Sequence, residues 1–345
     1  MFYSILISLY LDPSFFEIMR VKLFLLLLFV CILVLNCSEV SELRDNKTDP
    51  IISGSIPVDS VKKAMYDLTQ VEKTNLFESV PTVTILKRQD LPELSGLECS
   101  RTNPGLLYTQ EDSGNLNEIY LTNAKGEDRG KIVLDGIPNR DWEDLACGPG
   151  PDNSKSYLYV GEIGDNDWVY PGISVYRFPE PVLPFATSQT NVHVVPDILK
   201  FTYPKGAVNA ESLFLDPLTK DLYILTKEVG QSNLFVARYP QSTSSVTKLI
   251  QLATFPFDHL TSADISADGS EILVRNNSQI WYWKRLPNET VLNALLRAPF
   301  SAPYFNNERQ GEAICFASDG TGYFTVSEIK KYPGAVAALT FYKRN

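Results

Sequence analysis

From about residue 90 to the C-terminus, apolar residues fall in short runs broken by Gly, Pro, Asn and Asp, with the alternation of strands rather than the wider spacing of helices. The runs repeat. Five segments open on one pattern: Ser95-Gly-Leu-Glu-Cys99, Glu143-Asp-Leu-Ala-Cys147, Glu211-Ser-Leu-Phe-Leu215, Ala263-Asp-Ile-Ser-Ala267 and Glu312-Ala-Ile-Cys-Phe316. Their first residues lie 48, 68, 52 and 49 apart. Each is followed by a turn signal (Asn103-Pro-Gly, Gly148-Pro-Gly, Asp216-Pro, Asp268-Gly, Asp319-Gly) and a second apolar run. Third runs follow, such as Ile173–Arg177 and Ile280–Trp283, then fourth runs at Lys131–Leu134, Ile198–Thr202, Val246–Ile250 and, more faintly, Val291–Leu296.

Four short strands in a unit of about 40 to 50 residues make a propeller blade. The pattern therefore predicts an all-β fold, a β-propeller of five four-stranded blades. A sixth blade within Pro179–Pro204 and an accidental resemblance in a β-sandwich are the alternatives. The last unit holds only three strands before the chain ends. The orphan run Val83–Arg88 is the expected fourth, so an N-terminal strand closes the ring and removes the open edge. The propeller domain is expected over 83–345.

The first 82 residues read differently. Met19-Arg-Val-Lys, an apolar run from Leu23 to Leu35 and Asn36-Cys37 form an export signal over 1–36, with Met19 as the natural start. Leu33-Val34-Leu35-Asn36-Cys37 resembles a bacterial lipobox of the loose kind, with Asn where a small residue is usual. It implies lipidation at Cys37, a membrane as partner through that anchor, and a domain outside the cytoplasm in the bacterial cell envelope. An ordinary signal with an incidental Cys is the alternative. Residues 37–82 then form a polar tether with a short helix near Val61–Leu76.

Composition agrees with this picture. Abundant Tyr and Phe, 17 and 18, accompany Val, Ile and Thr as strand formers. A net charge of -10 with no basic stripe excludes nucleic acid as a partner. Neither His193 nor His259 adjoins a nucleophile elbow, no paired Cys or His suits zinc, and no Gly-rich loop opens a helix. Three cysteines, Cys99, Cys147 and Cys315, follow the signal and read as small buried hydrophobes. A bridge between Cys99 and Cys147, at equivalent repeat positions, is the alternative.

In a propeller the innermost strands line one axis, so equivalent positions meet there. Glu143, Glu211 and Glu312 share one such position, with Ser95 and Ala263, and Asp141, Asp144 and Asp264 lie close by. Carboxylates drawn together repel by about 4 kcal/mol per pair at 4 Å and an effective dielectric near 20. A hard cation bound by Glu143, Asp144, Glu211 and Glu312 would offset this, and calcium is the expected one. Hydrogen bonds that merely register the blades are the plainer alternative. The ends of the second strands should carry a further polar ring: Glu111 and Asp112; Glu162, Asp165 and Asn166; Lys227 and Glu228; Arg275 and Asn276; Glu328. Of these, Asp112, Glu162, Asp165, Asn166, Glu228 and Asn276 are candidate ligand-binding residues. Glu143, Glu211, Lys227 and Arg275 are candidate catalytic groups, the two bases as an anion clamp.

Leu94-Ser-Gly-Leu97, Glu111-Asp-Ser-Gly114, Asp141-Trp-Glu-Asp144, Gly161-Glu-Ile-Gly-Asp-Asn166, Ala210-Glu-Ser-Leu213 and Thr226-Lys227 together resemble a group of exported bacterial propeller proteins. That group is distantly similar to phytase-like and gluconolactonase-like propellers. The resemblance covers roughly 90–345 and implies calcium on the axis and six blades, the latter against the count of five. Three functions follow as expectations: an envelope-anchored module binding calcium or a ligand, a calcium-dependent hydrolase of phosphate or carboxylic esters, and a surface protein-interaction module.

Overall fold

The computed structural model describes residues 60–183 and 189–345. The expected export signal, with Met19, and Cys37 and the first part of the expected tether lie outside the described residues. Pro57–Asn345 forms one compact unit, and it is a five-bladed β-propeller. Among the described residues no helix is long and apolar enough to cross a membrane.

Blade one runs outward through Leu94–Cys99, Leu106–Glu111, Glu118–Asn123 and Gly130–Leu134. Blade two uses Trp142–Pro149, Ser156–Glu162, Ile173–Pro179 and Asp197–Thr202. Blade three uses Ala210–Leu215, Leu222–Thr226, Ser232–Ala237 and Ile250–Phe255. Blade four uses Leu260–Ile265, Glu271–Asn276, Ile280–Lys284 and Phe300–Ala302. Blade five uses Gln310–Phe316, Gly322–Glu328 and Ala338–Lys343, and Thr82–Ile85 completes it by pairing antiparallel with Ala338–Phe341. The innermost strands pack against one another in sequence order, and that of blade five meets that of blade one. The expected closing strand is thus in place.

The long second spacing holds no sixth blade. Its extra residues return to blade one, where Thr190–Val194 adds a fifth strand parallel to Gly130–Leu134. The run Val246–Ile250 is not the fourth strand of blade three. Thr247–Lys248 pairs in parallel with Phe201–Thr202 of blade two, and Ile250–Phe255, which pairs antiparallel with Ser232–Val236 and buries Leu252, Ala253 and Phe255, is the fourth strand instead. Val291–Leu296 is a helix capped by the Thr290 side chain, with Val291, Leu292, Ala294 and Leu295 buried at helical spacing. The fourth strand of blade four follows it at Phe300–Ala302.

The helix expected near Val61–Leu76 is a single 3-10 turn, Leu68–Gln70. Residues 60–81 instead trace the outer edges of three blades. Lys62–Lys63 pairs in parallel with Ala253–Thr254 of blade three, Lys73 bridges to Ser301 of blade four, and Phe77 bridges to Arg344 of blade five. Phe77 is buried edge-on against Tyr282 and Tyr323, pinning this segment across the blade four–blade five seam. Backbone pairing and one aromatic anchor therefore replace local helix propensity.

The core lies between blades. Trp142, Leu145, Leu158 and Tyr176 of blade two pack with Ile119, Leu121 and Ile132 of blade one. Corresponding clusters fill the next seams, with Cys99 and Cys315 inside the one between blades one and five. No two of the three described cysteines stand at bonding distance, and Cys147 Sγ lies 3.4 Å from Ser156 Oγ of its own blade rather than beside Cys99. Trp142→Ala would remove one of the three fully buried tryptophan side chains among the described residues and should lower the unfolding free energy by about 3–5 kcal/mol, read as a lower urea midpoint; an unchanged midpoint would contradict this packing.

Candidate functional site: the acidic mouth of the axial channel

Every innermost strand carries a bulge near its start. The register slips at Ser95 in blade one, at Glu143 and Asp144 in blade two, at Glu211 in blade three, at Thr261 in blade four and at Glu312 in blade five. A bulged residue leaves the ladder and re-aims its side chain. The blade-four equivalent of the glutamates is therefore Thr261, two residues before Ala263. The hydroxyls tie the layer together: Ser95 Oγ donates to Glu143 O at 2.7 Å and Thr261 Oγ1 to Gly311 O at 3.1 Å.

The two-residue bulge of blade two divides two roles. Asp144 turns inward and is fully buried. Its Oδ1 accepts from Leu145 N at 3.0 Å and Ser262 Oγ at 3.1 Å, and its Oδ2 from Leu213 N at 3.0 Å and Ala263 N at 3.3 Å. Ser262 Oγ in turn accepts from Ile314 N at 3.2 Å. This carboxylate spends its acceptors joining blades two, three and four, and reaches blade five through Ser262, so the expected cation ligand is a structural axle. Asp264 does a smaller version, accepting from Ile265 N and Phe316 N.

Glu143 faces the mouth. There Asp112, Asp141 and Glu143 each bring a carboxylate oxygen within 4.8 Å of the others. Asp141 Oδ1 and Glu143 Oε1 are buried and accept no hydrogen bond. A buried lone pair without a donor is costly. The surrounding segment holds this geometry. Asn139 Nδ2 donates to the carbonyls of Glu111 and Asp112, both at 2.9 Å, while its Oδ1 accepts from Trp142 N. Glu162 accepts from Asp141 N at 2.7 Å and Tyr176 Oη at 3.0 Å and pairs with Arg140 at 3.1 Å. Gly164 sits so close that a Cβ there would collide with Glu143 Oε1 and the Asp141 carboxyl.

The opposite side of the mouth is neutralised differently. Lys227 Nζ bonds Glu211 Oε2. Burial works against its charge, but Glu211 and Glu312 outweigh it and hold the ammonium charged. Gln310 Nε2 donates to Glu312 Oε1 at 2.8 Å and also bonds Glu328. Five carboxyl groups (Asp112, Glu143, Glu211, Glu312, Glu328) thus gather about one ammonium, and a sixth, Asp141, lies near Arg140. Burial and mutual repulsion raise them: Asp141 to about 7 through burial and then Asp112, Glu211 to about 8 and Glu312 to about 7 chiefly through burial. Glu143 lies well above the usual carboxyl range through burial, then Glu211 and Asp112.

Other candidates lie apart from the mouth or are committed elsewhere. Arg275 is fully buried, pairs with Glu308 at 3.0 Å and donates to Ala313 O at 3.1 Å, with Gly311 leaving room for its guanidinium. It is no anion clamp: its partner lies outside the repeat, where spacing gives no warning. Asp165 is buried, and its carboxylate caps Val169 N and Tyr170 N; its own N–H and Asn166 meet Asn209. Asn276 folds a turn through Ser278 N and Gln279 N, and half-exposed Glu228 accepts from Gln231 and Asn233. Asp112 and Glu162 alone of the expected ligand-binding six reach the cluster. Asp141, which the repeat already set beside Glu143, and Gln310, which no sequence signal marked, complete the site.

Fold and mouth define a five-bladed β-propeller with an acidic axial opening. No protein-family model matches the chain, and no curated protein matches it.

Asp144→Ala would orphan four buried donors and should cost roughly 3 kcal/mol or more of unfolding free energy, measured by denaturant titration; a cost under about 1 kcal/mol would dismiss the axle. A raised folded-state pKa means the folded protein binds more protons than the unfolded chain between Asp141's ordinary 3.8 and about 7. Its contribution is therefore present below pH ~4 and lost as pH climbs through ~7. In metal-free buffer, Asp141→Asn should flatten the fall in melting temperature between pH 5 and 8; an unaltered slope would contradict the assignment.

Proposed function

We propose that the propeller binds a divalent cation, calcium, through Asp112, Asp141 and Glu143, and that it serves as a ligand-capturing module. The observation that carries this is the pair of buried oxygens, Asp141 Oδ1 and Glu143 Oε1, which no protein donor satisfies and which converge with Asp112. Hard oxygen donors of this kind suit calcium, which takes six to eight oxygens and so leaves positions for an incoming ligand. Lys227 bonds Glu211 and Arg140 bonds Glu162, so neither bond carries positive charge directly to the oxygens of Asp112, Asp141 and Glu143. When bound, the cation would supply that charge and a Lewis-acidic point for anionic or hydroxyl oxygens of a ligand.

Capture is favoured over ester hydrolysis because the two bases of the expected anion clamp, Lys227 and Arg275, are each bound to a carboxylate. The lipobox-like Leu33–Cys37 segment supports a setting on the bacterial cell envelope, anchored by lipid on Cys37.

Carboxylates must lose their protons to bind metal, so calcium affinity should rise between pH 6 and 8, as Asp141, raised to about 7, deprotonates. At pH 8 and calcium at 100 times its Kd, preferential binding contributes about 2.7 kcal/mol, roughly 5–10 °C in melting temperature. Asp141→Asn and Glu143→Gln should each abolish the shift, while Glu228→Gln on the rim should keep it. A midpoint insensitive to millimolar calcium at pH 8 would overturn the proposal.

A further inference from the structure

We propose that Cys99 and Cys315 form a disulfide that joins blade one to blade five. Their Sγ atoms stand 3.7 Å apart, both side chains buried on innermost strands that pack side by side. Closing to the roughly 2.05 Å of a disulfide takes about 1.7 Å, within reach of side-chain rotation between neighbouring strands. Cys147 is no competitor, because its sulfur faces Ser156 on its own blade. The odd set of three thiols thus resolves into one pair and one single.

The location gives the bond a role. Blades one and five meet at the seam that closes the ring, where the pairing of Thr82–Ile85 with Ala338–Phe341 and the bonds from Ile329 N and Lys330 N to Pro92 O latch the closure. A bond between positions 216 residues apart would restrict the unfolded chain strongly. A cavity of about 430 Å³, lined by Cys99, Leu107, Phe324 and Leu339 and by the latch residues Thr82 and Thr84, gives a small thiol or disulfide a route to Cys99.

The oxidant is another disulfide, that of oxidised glutathione or of a protein dithiol oxidoreductase. The Cys99 thiolate attacks it, forms a mixed disulfide and releases one thiol. The Cys315 thiolate then attacks Cys99 Sγ and releases the second. Two electrons and two protons pass from the cysteine pair to the oxidant, which leaves as two thiols.

Full-length protein refolded in a glutathione redox buffer, denatured with N-ethylmaleimide and digested without reductant, should yield a linked peptide pair containing Cys99 and Cys315, with maleimide on Cys147. Maleimide on both Cys99 and Cys315, or either linked to Cys147, would overturn the proposal. Reduction should lower the melting midpoint of the oxidised protein by roughly 5 °C or more and leave that of Cys315→Ala unmoved. An equal midpoint for the oxidised and reduced forms would contradict the role at the seam.

Discussion

The carboxylate of Asp144 is the joint on which this propeller depends. It lies within the axis and accepts from Leu145, Leu213, Ala263 and Ser262, and Ser262 extends the network to Ile314 of blade five. Five sheets that converge on one line bring their strand starts together, and each strand there bulges and loses ladder bonds. Without a shared acceptor, several of those N–H groups would be buried and unmet. One acidic residue thus fixes the relative height of four blades, and the mouth above it inherits that order.

Just above, the same bulge creates the opposite condition. Glu143 follows Trp142, which is locked into the blade one–blade two core, so its carboxylate cannot swing away to solvent. Asp141 is held through its backbone by Glu162, and Asp112 through its carbonyl by Asn139. Three acidic side chains are thereby kept together, and the nearby cations, Arg140 and Lys227, ease their repulsion only from a distance because each is bonded to another carboxylate. On the far side of the mouth, Lys227 provides that relief for Glu211. The asymmetry, with Lys227 bonded to Glu211 on one side and unmet oxygens of Asp141 and Glu143 on the other, is what the proposed cation site rests on.

Much of the architecture is legible in the repeat. Spacing and turn chemistry lead to five blades and to a closing strand near Val83, because blade strands are local and their periodicity survives in one dimension. Features set by contacts between distant segments are not legible. Thr190–Val194 returns to the preceding blade, and residues 60–81 follow outer edges that no local pattern reveals. In blade four, Ala263-Asp-Ile resembles Glu143-Asp-Leu so closely that it masks the bulge at Thr261. The candidate site shows the same division. The position of Glu143 follows from the repeat, whereas the separation of its role from that of Asp144, and the burial of Arg275 against Glu308, depend on which way neighbouring side chains turn.

Whether a cation occupies the mouth is the central question for this propeller. The most direct measurement is anomalous diffraction from crystals grown at pH 8 with calcium or manganese. The expected result is one strong peak about 2.0–2.6 Å from oxygens of Asp112, Asp141 and Glu143. A mouth with no anomalous peak, its carboxyls hydrogen-bonded to one another at saturating metal, would contradict it.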